Sequence, residues 1–187
     1  MIHLLLRTKM FIPNEYHEQV YDIDFNELYR LGYRLILSDL DNTLISYDEF
    51  VPNKENIELF QKLEEIGFEI ILVSNNIPSR ISEYTKHTSI KGFANARKPL
   101  NIGLKKAFRS GTRTYQKNEV LVIGDQLMTD VWGANRMGLY SILVNPIKKK
   151  TEKWYTKLNR KTEVKMLNKI KVKHKDVYDN LKLSKRS

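Results

Sequence analysis

The sequence predicts an α/β fold in which helices flank both faces of a doubly wound parallel sheet. Between residues 34 and 147, apolar runs alternate with helical patterns, and the runs are nearly continuous in apolar residues, as in strands buried on both faces. Polar clusters follow these runs, and folds of this class bind ligands beyond the carboxyl ends of their strands. A chain of 187 residues is long enough for one such domain with a core of its own.

Five strands are predicted, over residues 34–38, 69–74, 90–94, 119–124 and 140–144, of which the third is the weakest. A helix is predicted over 53–66, with Asn53 as its N-cap and Gly67 as its stop. Pro78 and Pro99 are each suited to the first turn of a helix, and we expect these two helices to run to Tyr84 and Phe108. Strands and helices thus alternate as a doubly wound sheet requires.

The charge is distributed unevenly along the chain. Residues 1–147 contain 17 Lys and Arg against 18 Asp and Glu, whereas residues 148–187 contain 15 against 4. The second segment has no glycine or proline and few branched apolar residues. We therefore predict an α/β domain over 1–147 and a lysine-rich C-terminal tail over 148–187 that is an appendage to the core.

The absence of cysteine excludes thiol catalysis, disulfides and cysteine zinc sites, and it favours a reducing, cytoplasmic location. The apolar patch near the start of the chain is interrupted at Arg7 and Lys9, so it is too short for a signal peptide or a membrane span. Peripheral contact with the inner face of the membrane stays open.

The pair Asp39 and Asp41 follows the first predicted strand. Side chains at i and i+2 of an extended segment point the same way, so the two carboxylates converge on one small volume. Such a pair repels and is costly to desolvate unless a cation or a substrate lies between its members. Ser74, Lys98 and Asp125 follow the next three predicted strands, so we expect them at the same sheet edge.

These residues resemble the four motifs of haloacid dehalogenase-type (HAD) phosphatases, in order and in spacing. Asp39-Leu40-Asp41-Asn42-Thr43 is similar to the first motif, Ser74 to the second, Lys98 to the third, and Gly124-Asp125 through Thr129-Asp130 to the acidic fourth. The resemblance implies a HAD-like Rossmannoid fold and a phosphoric monoester hydrolase. A receiver domain of two-component signalling fits less well, because it carries its phosphorylated Asp alone on a later strand.

The resemblance also implies a role for each residue. Asp39 would attack phosphorus to form an aspartyl-phosphate, Asp41 would act as the acid and then the base, and Ser74 and Lys98 would hold the phosphoryl oxygens. The implied cofactor is Mg²⁺, held by Asp39, the backbone carbonyl of Asp41 and Asp125, with Asp130 supporting the site directly or through water. Thr43, Asn75, Asn76 and Gln126 would either touch substrate or cap the following helices, and we take Thr43 and Asn75 as candidate substrate-binding residues.

Many members of this superfamily carry a cap domain after the first or second motif. About 30 residues separate Asp41 from Ser74 and about 20 separate Ser74 from Lys98, which leaves room for one helix and one strand in each interval. We therefore predict a fold without a cap domain. An uncapped site favours macromolecular, lipid or partner-presented phosphates.

Residues 8–145 resemble the YqeG-type subfamily of HAD-IIIA phosphatases. The segments that carry this resemblance are Phe11-Ile12-Pro13-Asn14, which precedes the first motif, and the acidic motif, which continues through Asn135. That subfamily is similar to phosphatidylglycerophosphate phosphatases, which implies a phosphorylated lipid at a membrane surface as the leading substrate. Ser38 departs from the apolar residue expected before the nucleophile.

The tail admits three interpretations. Trp154, Leu158, Val164, Leu167 and Ile170 fall at loosely helical spacing among lysines, as in a basic amphipathic element on anionic lipid. The tail can equally be an RNA-binding arm with Trp154 and Tyr155 stacking on bases, or a solvated segment. The alternative to a phosphatase is accordingly an RNA- or ribosome-associated assembly factor on a HAD phosphatase fold.

Overall fold

The computed structural model describes residues 7–148 and 154–186, without the side chains of Trp154 and Tyr155. Within this part of the chain, one sheet contains the strands β1 (Glu15–His17), β2 (Leu35–Ser38), β3 (Glu69–Val73), β4 (Lys91–Phe93), β5 (Val120–Gly124) and β6 (Tyr140–Val144). The order is β1-β6-β5-β2-β3-β4, and every neighbouring pair is parallel. The predicted parallel α/β fold is confirmed. Strand β1 was not predicted, because its three residues contain no apolar run.

The helices are α1 (Phe25–Arg30), α2 (Lys54–Ile66), α3 (Pro78–Thr85), α4 (Asn101–Arg109), α5 (Trp132–Met137), α6 (Trp154–Lys173) and α7 (Lys175–Asn180). A π-helical turn, Leu127–Val131, leads directly into α5. Helix α2 begins and ends as predicted: the Asn53 side chain accepts a hydrogen bond from the Asn56 N–H, and Gly67 is left-handed. Helix α4 begins later than predicted, since Leu100 is still extended.

The two faces of the sheet carry separate cores. Ile36 of β2 belongs to a buried cluster with side chains of α1, α2 and α3. Leu35 and Leu37, its neighbours in the same strand, belong to a second cluster with side chains of α4 and α5. Alternation along a strand buried on both faces therefore produces the doubly wound arrangement.

The connections across the predicted site are short. Only α2 lies between β2 and β3, and only α3 lies between β3 and β4, in a stretch of chain described throughout. The prediction of a fold without an inserted cap domain is thus confirmed for this stretch.

The C-terminal segment differs from the expected appendage. Met166, Ile170 and Leu183 are buried in a cluster with Leu127 and Leu143 of the α/β domain. The segment therefore adds to the core, although the domain boundary at residue 147 stays a prediction. None of the helices among the described residues is long and apolar enough to cross a membrane.

The predicted apolar stripe of the tail is only partly correct. Ile170 is buried, but Leu158 and Val164 are 57% and 59% exposed. The face of α6 turned to the domain instead includes Thr156 and Glu163, which are buried. Because polar residues occupy these inward positions, the sequence of α6 lacks a regular apolar helical period. The proposed stacking of Trp154 and Tyr155 concerns side chains that lie outside the described part of the chain.

Candidate active site

The predicted catalytic residues meet at the carboxyl edge of the sheet. Asp39 follows β2 directly, Ser74 follows β3, and Lys98 lies in the loop after β4. A small cavity at this edge is lined by Asp39, Asp41, Ser74, Asn75 and Lys98, together with residues from the last third of the chain. The parallel topology thus brings together residues that are far apart in the sequence.

Lys98 is the cation at the base of this cavity. Its Nζ atom lies 2.5 Å from Oδ1 of Asp39 and 2.7 Å from Oδ1 of Asp130, and all three side chains are buried. Burial works to lower the pKa of Lys98, but Asp130 and Asp39 outweigh it, so the net shift is upward and the ammonium stays charged. Burial raises the pKa of Asp39, and Lys98 opposes that shift. The lysine therefore offsets much of the cost of burying two carboxylates.

Asp41 is held by three neighbouring side chains. The Nε and Nη2 atoms of Arg80 lie 3.1 and 3.0 Å from its Oδ1, and the Asn76 amide donates to its Oδ2 at 3.1 Å. The Ser74 hydroxyl approaches the same Oδ2 at 3.4 Å. Asp41 is therefore fixed in one orientation beside Asp39.

Arg80 was not among the predicted site residues. It lies in the first turn of α3, where a cation is unfavourable with respect to the helix dipole. It also donates to the backbone carbonyls of Ser46 and Glu49, so it joins the loop after β2 to α3. A basic residue in the first turn of a helix that follows a motif is the signal that could have identified it.

Asn75 and Thr43, the two candidate substrate-binding residues, have different positions. The Asn75 amide donates to the Lys98 carbonyl at 3.0 Å and accepts from the Lys98 N–H at 2.7 Å, so it fixes the loop that carries the lysine. Its side chain also lines the catalytic cavity. Thr43 is buried with no partner for its hydroxyl, and it lines a separate cavity with Tyr21 and Pro146. The structure does not bring Thr43 to the catalytic cavity.

Asp125 is completely buried at the end of β5. Its Oδ2 is paired with Nη2 of Arg160 from α6, and its carbonyl accepts from Nη1 of the same arginine at 2.6 Å. Burial raises the pKa of Asp125 to about 6, against the opposing effect of Arg160. Its other carboxylate oxygen, Oδ1, is buried without a hydrogen-bond partner. An unpaired buried carboxylate oxygen costs free energy unless a cation or water completes it.

Asp130 packs against the end of the same strand. Its Oδ2 accepts from the Gln126 N–H at 3.1 Å and the Thr129 hydroxyl at 3.3 Å, while its Oδ1 faces Lys98. A Cβ atom at Gly124 would overlap the Asp130 side chain. Glycine is therefore required at position 124 for the two acidic residues of this motif to lie as they do.

Helix α6 forms one wall of the catalytic cavity. Thr156 and Asn159 line it, the Thr156 hydroxyl lies 3.3 Å from the Tyr47 hydroxyl, and the Asn159 amide donates to Gln126 at 3.3 Å. The cavity has a volume of about 40 Å³, and roughly 10–15 Å³ suffices for one water by this measure. By this measure the cavity has room for a few waters. Apart from the high charge of the segment, no signal in the sequence identifies this wall.

The donors at this edge of the sheet are oxygen atoms, which is the type of ligand that magnesium binds. Magnesium takes oxygen ligands and keeps several waters, so a few carboxylates suffice. Asp125 offers an unpaired Oδ1, and Asp39 lines the adjoining cavity. Among residues 7–148 and 154–186, no three His, Cys, Asp or Glu side chains are grouped closely enough to form a metal site from side chains alone.

The fold and these motifs define a phosphatase of the HAD type. A family model described as mitochondrial PGP phosphatase matches residues 1–148. The chain belongs to this PGP phosphatase family.

The chain is also similar to individual proteins. The chain is 34% identical over 165 residues to the "Probable phosphatase YqeG" of Bacillus subtilis, covering 88% of this chain and 94% of the relative. It is 26% identical over 110 residues to the "Glyceraldehyde 3-phosphate phosphatase" of Pyrococcus abyssi, covering 54% of this chain and 44% of that protein. A crystal structure of an uncharacterized protein from Listeria monocytogenes is 19% identical with a TM-score of 0.49, covering 64% of this chain and 85% of that one.

Proposed function

We propose that this phosphatase is a Mg²⁺-dependent phosphomonoester hydrolase that forms an aspartyl-phosphate on Asp39. The observation that supports it most is the cavity in which Asp39 and Asp41 lie together, with Lys98 Nζ 2.5 Å from Asp39. A carboxylate that attacks an anionic phosphate needs positive charge close by. Lys98 supplies it here without exposing the nucleophile to bulk water.

The reaction has two halves. In the first, a carboxylate oxygen of Asp39 bonds to phosphorus, the bond to the leaving oxygen breaks, and Asp41 gives that oxygen its proton. In the second, Asp41 takes a proton from a water that attacks phosphorus, and the bond to Asp39 breaks to release phosphate. One residue can serve as acid and then as base because the first half leaves it deprotonated. The contacts from Arg80 and Asn76 hold Asp41 in place for both halves.

Ser74 and Lys98 would bind the phosphoryl oxygens, as donors already in position before the charge develops. The residues that would hold Mg²⁺ are Asp39, Asp125 through its unpaired Oδ1, and the backbone carbonyl of Asp41, with Asp130 supporting them through Lys98 or water. When bound, the ion would neutralise charge on the phosphoryl group and the nucleophile.

For the substrate, we propose phosphatidylglycerophosphate or another lipid phosphate displayed at a surface, in line with the description of the matching family. A groove of about 610 Å³ adjoins the catalytic cavity and shares Tyr47 and Asn76 with it. Phe50 and Ile77 line this groove and are 59% and 56% exposed. An apolar groove beside a small polar cavity suits a leaving group with an apolar portion. Such a substrate would place the protein peripherally at a membrane.

A second candidate function is that of an RNA- or ribosome-associated assembly factor in which hydrolysis is incidental. The observation that favours it is the row Lys157, Lys161 and Lys165, which are exposed and four residues apart on α6. Lysines at this spacing share one helix face and can neutralise successive phosphates.

The test is turnover of a phosphate panel containing phosphatidylglycerophosphate, sugar phosphates and nucleotides, with and without Mg²⁺. The Asp39→Asn variant removes the nucleophile with almost no change in volume, and Asp176→Asn on exposed α7 is its matched control. We expect Asp176→Asn to behave as wild type and Asp39→Asn to be inactive. Activity of Asp39→Asn within tenfold of wild type, about 1.4 kcal/mol in barrier, would contradict the covalent mechanism. Turnover of none of the panel would favour the second candidate.

A further inference from the structure

Arg160 connects α6 to Asp125, the acidic residue at the end of β5. Its two terminal nitrogens contact different atoms of Asp125: Nη2 pairs with the carboxylate Oδ2, and Nη1 donates to the backbone carbonyl at 2.6 Å. A guanidinium can make both contacts at once because its donors form a rigid planar fork. Asp125 is thereby held at two points, and one of its carboxylate oxygens is left without a hydrogen-bond partner.

The position of Arg160 is itself fixed by a buried glutamate. Glu163, one turn later on α6, lies with Oε2 3.5 Å from Nη1 of Arg160 and accepts from the Leu127 N–H at 3.1 Å. Its Oε1 accepts from Nε of Arg186 at 2.5 Å, and Arg186 in turn donates to the carbonyls of Val144 and Asp125. The C-terminal segment is thus attached to the ends of β5 and β6 by a connected polar network.

An apolar cluster holds this network in place. Met166 and Ile170 lie one and two turns beyond Glu163 and are buried with Leu127 and Val131 of the π-helical turn. This turn carries Asp130 and begins two residues after Asp125, so a shift of α6 would disturb the end of the chain segment that holds both acidic residues. The segment predicted to be an appendage therefore packs against the turn that carries Asp130.

We propose that Arg160 is a positioning residue for the cation site: it holds Asp125 through Oδ2 and the backbone carbonyl, and it leaves Oδ1 for Mg²⁺. This inference rests on the proposed function only in taking Mg²⁺ as the ion. The opposite role is physically distinct. A guanidinium that merely occupied the place of the ion would compete with it, and its removal would strengthen metal binding by relieving repulsion between two cations.

The two roles predict opposite signs for Arg160→Gln. Loss of a residue that orients a metal ligand typically weakens metal affinity by about 10- to 100-fold. We therefore expect Arg160→Gln to bind Mn²⁺, a paramagnetic substitute for Mg²⁺, at least tenfold more weakly in an electron paramagnetic resonance titration of the full-length protein. Arg160→Lys keeps the charge but not the fork, and we expect an intermediate affinity. Lys161→Gln removes one positive charge from the exposed neighbouring position and should bind as wild type.

Kinetics give a second measurement. The Mg²⁺ concentration for half-maximal hydrolysis of a soluble aryl phosphate should rise in Arg160→Gln, while kcat at saturating Mg²⁺ recovers most of the wild-type value. A general loss of structure would instead lower kcat at every Mg²⁺ concentration. If Arg160→Gln unfolds, Glu163→Gln provides a second test, because it loosens Arg160, and also Arg186 on the Asp125 carbonyl, while leaving the Asp125 side chain in place; it should weaken Mn²⁺ binding in the same direction.

Three results would overturn the proposal. The first is that Arg160→Gln binds Mn²⁺ as tightly as wild type or more tightly. The second is that Lys161→Gln weakens Mn²⁺ binding as much as Arg160→Gln does. The third is that wild type binds Mn²⁺ no more tightly than Asp125→Ala. The Mn²⁺ titration needs no turnover. A protein that binds Mn²⁺ through Asp125 but hydrolyses no phosphate would therefore contradict the proposed function and leave the role of Arg160 intact.

Discussion

Lys98 and Asp39 form a buried ion pair, with Nζ 2.5 Å from Oδ1, in the small cavity at the carboxyl edge of the sheet. Lys98 also reaches Asp130 at 2.7 Å, so one ammonium serves two buried carboxylates. Lys98 therefore has a structural role beside the catalytic one that we propose for it. Without it, two negative charges would remain in a site from which water is largely excluded.

This arrangement makes Lys98→Met a test of stability as well as of activity. Breaking a buried ion pair from one side typically costs about 3–5 kcal/mol, because the remaining charge is left without compensation. We expect a loss of that order in the free energy of unfolding, measured by urea titration without divalent cations. Lys106→Met on the exposed side of α4 is the control and should change the free energy of unfolding by less than about 0.5 kcal/mol. Equal stability of the two variants would show that the pair contributes nothing net.

Arg80 offers a test of how Asp41 is oriented. Arg80→Gln removes the two contacts to Oδ1 and leaves the Asn76 contact to Oδ2. Because a positioned general acid and base contributes about 10²- to 10⁴-fold, we expect kcat to fall on the order of 10²-fold with a smaller change in KM. Arg80→Lys, with one donor in place of a fork, should be intermediate.

The control for this prediction is Arg30→Gln, which removes an arginine whose side chain is 78% exposed. Circular dichroism melting curves of the three variants separate misplacement of Asp41 from loss of the loop contacts to Ser46 and Glu49. A kcat for Arg80→Gln within twofold of wild type, in a folded protein, would mean that Asn76 and Ser74 suffice to place Asp41.

At Gly124 the backbone lies close against the side chain of Asp130. An added Cβ in Gly124→Ala would overlap Cβ, Cγ and Oδ2 of Asp130, so the π-helical turn must shift. Overpacking of this kind costs about 1–3 kcal/mol, and we expect that loss together with reduced activity. Gly133→Ala is the comparison, since its Cβ would approach the tip of the Leu104 side chain at 2.9 Å and otherwise make ordinary contacts with Pro99. Thermal unfolding should show Gly133→Ala near wild type; equal melting temperatures for both variants would contradict the expectation.

The sequence was sufficient for five of the six strands and for the polar residues at their carboxyl ends. Ile36 and Leu37 illustrate the reason. A strand that is buried on both faces has a continuous apolar sequence, and the polar residue that ends the run indicates the site. The contacts of Lys98 with Asp39 follow from parallel topology, because strand ends share one edge.

The contribution of α6 could not be obtained in this way. Its inward face begins with Thr156, Asn159 and Glu163, which are polar because they face a polar site, and only later includes Met166 and Ile170. A helix with such a face has no apolar period to detect. Arg160 was likewise one of 15 basic residues in residues 148–187, and only the fold distinguishes it from the others.

The outer face of α6 gives the last prediction. Lys157, Lys161 and Lys165 are exposed there beside Leu158 and Val164, a combination suited to an anionic lipid surface. Each lysine near such a surface contributes about 1 kcal/mol, so replacing all three by Gln should weaken binding to phosphatidylglycerol vesicles by about 100-fold. Binding of the wild type should fall with added salt, as expected for screened charges. Hydrolysis of a soluble aryl phosphate should stay unchanged, because none of the three lines the catalytic cavity.

The control is a triple Gln variant at Lys54, Lys62 and Lys106, which are exposed elsewhere on the domain. Equal loss of vesicle binding in both triple variants would indicate a general charge effect. If replacing Lys157, Lys161 and Lys165 abolished RNA binding but left vesicle binding intact, this face would support the second candidate function.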